Sequence, residues 1–308
     1  MSIIVVGTIG YDSIETQFGS VSDVLGGSAT YFAIAASFFA PVSLVAAVGT
    51  DFTADDRRIF LERNVDVRAL KTAEGKTFRW RGRYHEDMNK RDTLETALNV
   101  FADFDPVLLP DQRRSDYLFL ANIAPQLQER VLAQISSPKI VAADTMNLWI
   151  DTEREALTKL LKRIQILTLN DEEVRMLTGE HNLVKAGRAA LKMGPKTVLI
   201  KRGEYGVLQF SPDSMFAVPA YPLEEVIDPT GAGDTFAGAF MGYVARSGRI
   251  NESVCRTAVV YGSVLASFVV ERFSVDRITS LSWEEVDARY RAFIELTNCN
   301  HPRWTSQL

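Results

Sequence analysis

The sequence predicts an α/β protein built on a doubly wound, mostly parallel sheet. Short apolar segments alternate with longer helical segments, and this alternation is typical of parallel sheets covered on both faces. The 308 residues are 46% hydrophobic and 24% charged, which is ordinary for a folded protein with a sizeable core. One segment, Lys76 to Tyr84, breaks the rhythm because apolar and polar residues alternate along it. We expect a strand with two different faces there, of a kind that suits a lid.

Hydrophobic periodicity and chain breakers predict the elements in order. Residues 31 to 48 are apolar enough to suggest a membrane span, but Pro41 divides them. We expect instead a buried helix from Ser28 to about Phe39, followed by a buried strand from Val42 to Val48. Further strands are expected at Ile3 to Gly7, Tyr117 to Leu120, Ile140 to Ala143, Ile166 to Leu169, Thr197 to Lys201 and Val207 to Phe210. Later helices are expected from Ala232 to about Arg246, from Glu252 to about Val269 and from Trp283 to about Thr297.

Composition narrows the class of partner. The net charge is −5 and the isoelectric point is near 5.4, so we expect no nucleic-acid face and no membrane-binding face. Neither the two cysteines nor the three histidines have the spacing of a zinc site or a disulfide framework. These residues are Cys255, Cys299, His85, His181 and His301. The chain begins with strand-like residues and leaves no room for a signal peptide, so we expect a cytoplasmic protein that binds small molecules.

The stretch from Val226 to Phe240 carries the strongest chemical signal. Val226 and Ile227 are expected to end a strand, after which the chain turns at Gly231 and opens into a helix. A helix start offers free N–H groups and a positive dipole end, and glycine lets an anion approach the backbone. Asp234 beside such a site suits a base that accepts a proton from an attacking hydroxyl. The plainer alternative is that Asp234 or Thr235 caps the helix and the glycines only turn the chain.

The run Asp-Pro-Thr-Gly-Ala-Gly-Asp at residues 228 to 234 resembles the second signature of the PfkB, or ribokinase-like, family of carbohydrate and nucleoside kinases. The resemblance implies one domain over residues 1 to 308, with a small discontinuous β-sheet lid mainly at about residues 11 to 24 and 68 to 100. It implies transfer of the γ-phosphoryl group of ATP to a hydroxyl of a small sugar, nucleoside or related polyol. Asp234 would be the catalytic base, and Gly231, Ala232 and Gly233 would form the anion hole. Family members also use Mg²⁺, and Asp228 becomes a candidate ligand of a monovalent cation such as K⁺.

Acceptor-binding residues are expected near the first strand. Gly26 and Gly27 lie in a glycine turn that resembles the first signature of the family, where paired glycines contact substrate hydroxyls. Ser28 explains the same turn as a helix cap, and Tyr31 stands where the family usually has asparagine. Asp12 follows the first strand and by resemblance binds a substrate hydroxyl; as a lone residue it is equally a turn former.

Two further strand ends are expected to face the same crevice. Asn122 follows one strand and Asp144 follows the next, so both are expected to line the site, with Asn122 as an acceptor-binding residue. The alternative is that they simply form the turns that end these strands.

Nucleotide-binding residues are expected farther along the chain. Asn170 and Glu173 form an ordinary capping box, and they also match the family motif Asn-x-x-Glu, whose glutamate organises Mg²⁺ through water. Lys201 and Gly203 lie in a strand-to-turn segment that by resemblance borders the nucleotide, although a solvated lysine in a hairpin explains them too. Gly262 is expected to border adenine, with core packing as the plainer reading.

The alternating segment does not decide whether the acceptor is a nucleoside or a phosphorylated sugar. Phe78, Trp80 and Tyr84 share one face, where aromatic rings suit a nucleoside. The opposite face carries Arg79, Arg81 and Arg83, which suit a phosphorylated sugar or are simply solvated. An exposed aromatic strand also favours a homodimer through the lid.

Rival functions have less support. The chain has no Walker Gly-x-x-x-x-Gly-Lys-Ser/Thr motif and no Gly-x-Gly-x-x-Gly after the first strand, which argues against a P-loop kinase and a Rossmann dehydrogenase. The remaining alternative is a catalytically silent relative that binds a nucleoside or sugar as a sensor or interaction module. Such a protein would be expected to have lost the base or the anion hole.

Overall fold

Two β-sheets form the framework of the protein. The computed structural model describes residues 2 to 298, so Cys299 and His301 lie outside the described residues. The large sheet has nine strands in the order β13-β12-β11-β10-β9-β8-β1-β4-β5, and the small sheet has four in the order β3-β2-β6-β7. In the large sheet, the seven neighbouring strands from β11 to β5 in this order all run parallel to one another. Strand β12 runs antiparallel to both of its neighbours, β11 and β13.

The thirteen strands have the following bounds. They are β1 (Ile3–Val6), β2 (Gly10–Thr16), β3 (Gly19–Gly26), β4 (Val42–Gly49), β5 (Asp66–Ala73), β6 (Phe78–Tyr84), β7 (Arg91–Ala97), β8 (Tyr117–Leu120), β9 (Ile140–Asp144), β10 (Ile166–Asn170), β11 (Thr197–Lys201), β12 (Val207–Phe210) and β13 (Met215–Val218).

The α-helices cover both faces of the large sheet. They are α1 (Ser28–Ser37), α2 (Ala54–Glu62), α3 (Pro125–Leu132), α4 (Asn147–Thr152), α5 (Arg154–Leu161), α6 (Asp171–Thr178), α7 (Leu183–Lys192), α8 (Ala232–Ser247), α9 (Glu252–Val269), α10 (Asp276–Thr279) and α11 (Trp283–Thr297). Within residues 2 to 298, no helix is long and apolar enough to cross a membrane.

The two faces of the large sheet are buried in two separate cores. All four residues of β1 are buried, and because side chains alternate along a strand they are divided between the cores. Ile3 and Val5 pack with α1, α8 and α9, whereas Ile4 and Val6 pack with helices α3 to α7. Burial on both faces explains why the strand is apolar at every position rather than alternating.

The small sheet is the element expected as a lid. Strands β2 and β6 are parallel, and each forms an antiparallel pair with its neighbour in sequence. The start of the second expected lid segment differs from the prediction, because Asp66–Ala73 pairs with β4 in the large sheet. The segment that belongs to the small sheet therefore begins at Phe78.

Helices α1 and α8 bring the two glycine turns together. A Cβ atom on Gly238 would lie only 2.4 Å from the carbonyl oxygen of Phe32, so glycine permits a close approach of the helices. The turn before α8 then meets α1, because a Cβ on Gly231 would lie 2.4 Å from the ring of Tyr31.

Most predicted elements of the large sheet are confirmed to within about two residues. Val226 and Ile227 are an exception, since no strand forms there. Ile227 instead donates its backbone N–H to the carbonyl of Val270 at 2.8 Å, so the segment is held by the end of α9 rather than by a sheet.

Candidate active site

The first turn of α8 has the backbone geometry of an anion site. Gly231 is the N-cap in the left-handed region, with φ 75°, and no side chain caps the helix. Thr235 donates its amide to the Gly231 carbonyl at 2.8 Å, and Ala232 donates to Pro229 at 3.2 Å. Asp234 therefore does not act as the helix cap, which removes the plainer explanation of its position. Because Ala232 is already engaged, Gly233 is the best placed of the three expected anion-hole amides.

Asp234 lies among charged groups. Its pKa is raised to about 7, mainly by burial and also by the neighbouring carboxylates Asp144 and Glu173, while Lys201 and Arg91 act in the opposite direction. A carboxyl group with a pKa near neutrality is well matched to accepting a proton at neutral pH.

Lys201 is held beside the first turn of α8 by Asp144. Its Nζ atom donates to the Asp144 carboxylate at 3.0 Å, and it lies 3.1 Å from the position that a Cβ on Gly233 would take. Burial alone would lower the pKa of Lys201, but Asp144, Glu173 and Asp234 raise it overall. The ammonium group is therefore charged beside the start of α8. Asp144 thus serves to position a cation.

Glu173 and Asn170 form the expected capping box. The Asn170 backbone N–H donates to the Glu173 carboxylate at 2.6 Å, and the Glu173 backbone N–H donates to the Asn170 side-chain oxygen at 2.7 Å. Burial raises the pKa of Glu173 to about 7, with Lys201 opposing and Asp144 adding to the shift.

This donor set fits a magnesium ion that keeps most of its water. Among the described residues, no three His, Cys, Asp or Glu side chains converge as metal ligands. Mg²⁺ in kinases is commonly held by one or two carboxylates together with water and substrate phosphates. A buried carboxylate whose ionisation is disfavoured would be stabilised by such an ion, so Glu173 is the suitable group.

Asp12 and the first glycine turn are in direct contact. The carboxylate of Asp12 accepts the Gly27 N–H, and its Oδ2 lies 1.9 Å from where a Cβ on Gly26 would be. The pKa of Asp12 is raised to about 7, mainly by burial and also by the carboxylates of Asp228 and Asp234. Asp12, Gly26 and Gly27 are thus brought together next to the α8 turn.

The expected Ser28 cap is wrong. Gly27 is the N-cap of α1, with φ 93°, and Ser28 is the first helical residue. The Ser28 hydroxyl instead accepts the backbone N–H of Thr8 at 3.3 Å. Position 27 requires glycine because a Cβ on Gly27 would lie only 2.6 Å from the carbonyl oxygen of Thr8.

Tyr31 lies against the turn before α8, near three of the carboxylates. Its side chain is buried, and among residues 2 to 298 its hydroxyl has no hydrogen-bond partner. Burial raises its pKa well above the ordinary value, and Asp12, Asp228 and Asp234 add to the effect. A neutral hydroxyl is therefore available beside the three carboxylates.

Asp228 braces the loop before α8. One carboxylate oxygen accepts the Thr230 N–H at 2.9 Å, and the other accepts the Ser274 N–H at 3.1 Å. Burial raises the pKa of Asp228, although these hydrogen bonds lower it. The contacts explain Asp228 as a structural residue.

Two residues expected to bind ligands have protein partners of their own. Asn122 accepts the indole N–H of Trp149 at 2.9 Å and contacts the Met146 sulfur at 3.2 Å. Gly262 packs against Phe236, whose ring lies 2.5 Å from the position of an added Cβ. These contacts favour structural roles for Asn122 and Gly262.

Gly203 contacts the small sheet. It has φ 55°, and an added Cβ would lie 1.8 Å from the side-chain oxygen of Asn89 in the β6–β7 loop. The loop of the small sheet therefore reaches across the crevice to the expected nucleotide-binding turn.

The outer arginines of β6 are neutralised within the small sheet and its surroundings. Arg79 pairs with Asp23 and with Asp51, each at 2.9 Å. Arg83 pairs with Glu15 at 2.5 Å, and Arg81 reaches the same carboxylate at 3.5 Å. These partners favour a structural role for the three arginines over recognition of an anionic acceptor.

Two residues of the site were missed from the sequence. Tyr84 was expected only as a lid aromatic, but its hydroxyl accepts the Thr230 hydroxyl at 3.1 Å. Arg91 begins β7 opposite Tyr84 and lies close enough to Asp12, Asp234 and Glu173 to lower their pKa values. No local signal marks Arg91 as a site residue, because β7 is polar at most positions and shows no clear alternation.

Comparisons with known proteins show the family of the chain. The family model described as pfkB family carbohydrate kinase matches residues 2–280. The chain is 29% identical to a cytidine kinase of Thermococcus kodakarensis over 260 residues, which is 82% of this chain and 92% of that protein. It is 28% identical to a ribokinase of Staphylococcus aureus over 278 residues, 86% of each chain. A solved structure reported as Escherichia coli ribokinase II with ATP and Mg²⁺ has a TM-score of 0.78 at 19% identity, covering 96% of this chain and 99% of that one.

Proposed function

We propose that this chain transfers the γ-phosphoryl group of ATP to a hydroxyl of a nucleoside. The chain belongs to the pfkB family of carbohydrate kinases and is a phosphotransferase with an alcohol acceptor. The observation that carries this proposal is the placement of Asp234 in the uncapped first turn of α8, where its charge interacts with those of Lys201 and Asp12. A base, a cation and a second acid around free helix amides are the parts that phosphoryl transfer to a hydroxyl requires.

Asp234 acts as the general base. The acceptor oxygen forms a bond to the γ-phosphorus, the bond from that phosphorus to the bridging oxygen breaks, and ADP leaves. The proton of the acceptor hydroxyl passes to the Asp234 carboxylate. Asp12 holds an acceptor hydroxyl and so orients the reacting oxygen, which is supported by its contact with the Gly26–Gly27 turn.

The transferred group is stabilised by fixed positive charge. The Gly233 amide and the helix dipole act at the start of α8, and Lys201 adds a cation beside them. When bound, Mg²⁺ would neutralise phosphate charge, with Glu173 holding it through water. Closure of the four-stranded sheet as a lid would exclude water from the nucleotide, and its contact at Gly203 supports that role.

Two observations favour a nucleoside as the acceptor. Asp12 and Trp80 are paired across β2 and β6, so an aromatic ring lies beside the hydroxyl-binding carboxylate on the same face of the lid. A sugar hydroxyl at Asp12 and a base against Trp80 would use both. The three β6 arginines, which would have supported a phosphorylated sugar, already have carboxylate partners.

The test is ADP release from Mg-ATP by the purified protein against nucleosides, free sugars, sugar phosphates and inositols. We expect release with a nucleoside, and Asp234→Asn is expected to lower kcat by about 10²-fold to 10⁴-fold because the general base is lost. KM for the acceptor and binding of ATP should change little. Asp213→Asn, in the exposed turn between β12 and β13, is the matched control and should behave as the wild type.

Each other outcome has a distinct meaning. Near-normal turnover of Asp234→Asn would eliminate it as the base. Binding of a nucleoside without ADP release by the wild type would favour the sensor alternative, and release with sugars alone would correct the acceptor class. A requirement for KCl in the same assay would show that Asp228 also serves a monovalent cation.

A further inference from the structure

Arg91 is the first residue of β7, an edge strand of the small sheet. It is paired with Tyr84 across β6 and β7, and its guanidinium lies 5.7 Å from the centre of the Trp80 ring. It also donates to the Tyr84 hydroxyl, which in turn accepts the hydroxyl of Thr230. Because Thr230 precedes Gly231, the guanidinium is two hydrogen bonds from the loop that forms the anion site.

Arg91 differs from the other cations of its hairpin in having no ion-pair partner. Lys90 pairs with Asp87, and Arg83 pairs with Glu15. Within the part of the chain that the structure describes, no carboxylate lies within ion-pair distance of Arg91, and the residue is exposed. Its donor groups are held in position by Trp80 and Tyr84 but are not consumed by an acid.

The acidic residues around Arg91 indicate a role for its positive charge. Arg91 lies close enough to Asp12 and Asp234 to offset part of the rise that burial causes in their pKa values, so its charge acts on both the acceptor side and the base. A phosphoryl group that enters between these acids is repelled by them. Lys201 offsets part of this repulsion, but it is tied to Asp144.

We propose that Arg91 is a catalytic residue that donates hydrogen bonds from the lid to the phosphoryl group during its transfer. The inference rests on the proposed kinase function and deepens it by assigning the cation that the lid contributes. A planar guanidinium matches phosphate oxygens in two parallel hydrogen bonds, which an ammonium does not. Held by the lid, Arg91 contacts the phosphoryl group only when the small sheet is closed.

The experiment compares Arg91→Ala and Arg91→Gln with Arg83→Ala, a matched change in the same hairpin that removes an arginine paired with Glu15. We expect both Arg91 variants to lose about 10²-fold or more in kcat, with KM for the acceptor and Kd for Mg-ADP within about threefold of the wild type. Arg83→Ala should keep kcat within about threefold. Arg91→Lys should recover only part of the loss, and added guanidinium ion should partly rescue Arg91→Ala.

A binding readout tests the same contact without turnover. Aluminium fluoride with Mg-ADP and acceptor mimics the phosphoryl group in transfer, and we expect it to raise Tm of the wild type and of Arg83→Ala but not of Arg91→Ala. Equal kcat in Arg91→Ala and Arg83→Ala, or equal stabilisation by aluminium fluoride, would overturn the proposal.

The acceptor panel distinguishes the source of the phosphate. A loss in Arg91→Ala that is confined to phosphorylated acceptors would make Arg91 a ligand of the acceptor's own phosphate and would overturn its role in transfer. Silence of the wild type towards every acceptor would contradict the proposed function itself, and the inference would fall with it.

Discussion

At the scale of single residues, variants of the ion pair between Lys201 and Asp144 are expected to change stability and activity independently. The Asp144 side chain is 5% exposed and the Lys201 side chain 18%, so removing the lysine leaves a buried carboxylate without its cation. Breaking a buried pair in this way costs about 3 to 5 kcal/mol, whereas removing both charges costs much less. We therefore expect Lys201→Met to lower the free energy of unfolding by about 3 kcal/mol, and Lys201→Met with Asp144→Asn to recover most of that loss.

Activity should not recover with stability. If Lys201 stabilises the transferred phosphoryl group, the double variant lacks the cation at Gly233 and kcat remains low. Urea unfolding and ADP release on the single and double variants give the two quantities. Recovery of kcat in the double variant would show that Lys201 serves only to neutralise Asp144.

How far the sequence predicts the site depends on where each residue lies in the chain. Gly231, Gly233 and Asp234 lie within one short run, and Asn170 and Glu173 are separated by three positions, so local chemistry predicts them. Arg91 becomes a site residue only through pairing with Tyr84, and the strand pair contains an irregularity between Arg81 and Gly82 that local periodicity does not reveal. Asn122 and Gly262 are the opposite case. Their positions at a strand end and on a helix suggest ligand-binding residues, but the sequence does not show that Trp149 and Phe236 contact them in the fold.

At the scale of elements, the start of α8 depends on a glycine for two separable reasons. Gly231 has φ 75°, which costs a side chain about 1 to 2 kcal/mol, and its added Cβ would lie 2.4 Å from the Tyr31 ring. Gly179, which ends α6, has nearly the same backbone angle, φ 74°, but nothing lies within 4 Å of its added Cβ. The two positions share the backbone strain and differ in the contact.

Gly231→Ala is therefore expected to be more destabilising than Gly179→Ala. We expect Gly179→Ala to cost about 1 kcal/mol, and Gly231→Ala to cost about 1 to 3 kcal/mol more because Tyr31 and α1 must move. Gly231→Ala should also reduce kcat, since it displaces the amides of the anion site. Urea unfolding of both variants measures the difference, and equal costs would show that α1 and α8 do not meet rigidly at this point.

Elements of the large sheet are predictable from sequence, whereas those of the lid are less so. Strands such as β8 and β11 are continuous apolar runs buried on both faces, and their predicted bounds are confirmed. Strands β3 and β7 are largely polar and exposed, so neither a continuous run nor a clear alternation marks them. Their pairing partners decide that they are strands, and pairing is not a local property of the sequence.

At the scale of the whole molecule, the three buried acids of the site destabilise the folded protein when they are ionised. The proposed base has to be ionised to accept a proton. Asp12, Asp234 and Glu173 have pKa values raised to about 7 by burial, above their ordinary values of 3.8 and 4.5. Between these limits the folded protein binds more protons than the unfolded chain. Stability from these groups is therefore greatest at low pH and is lost as pH rises through about 7. If Asp234 is the general base, as proposed, its deprotonation over the same range generates the active form.

Activity and unliganded stability should thus change in opposite directions with pH. From pH 5.5 to 8.5 we expect kcat/KM to rise with an apparent pKa near 7, while Tm of the protein without ligands falls by at least about 2 °C. Acids that are ion-paired, such as Glu285 with its pKa lowered to about 2, are already ionised over this range and do not contribute. Asp234→Asn should flatten the fall in Tm and Asp213→Asn should not. A Tm of the wild type that rises with pH across this range would mean that the three carboxylates are already stabilised as anions in the folded protein, and that their burial does not set the pH dependence.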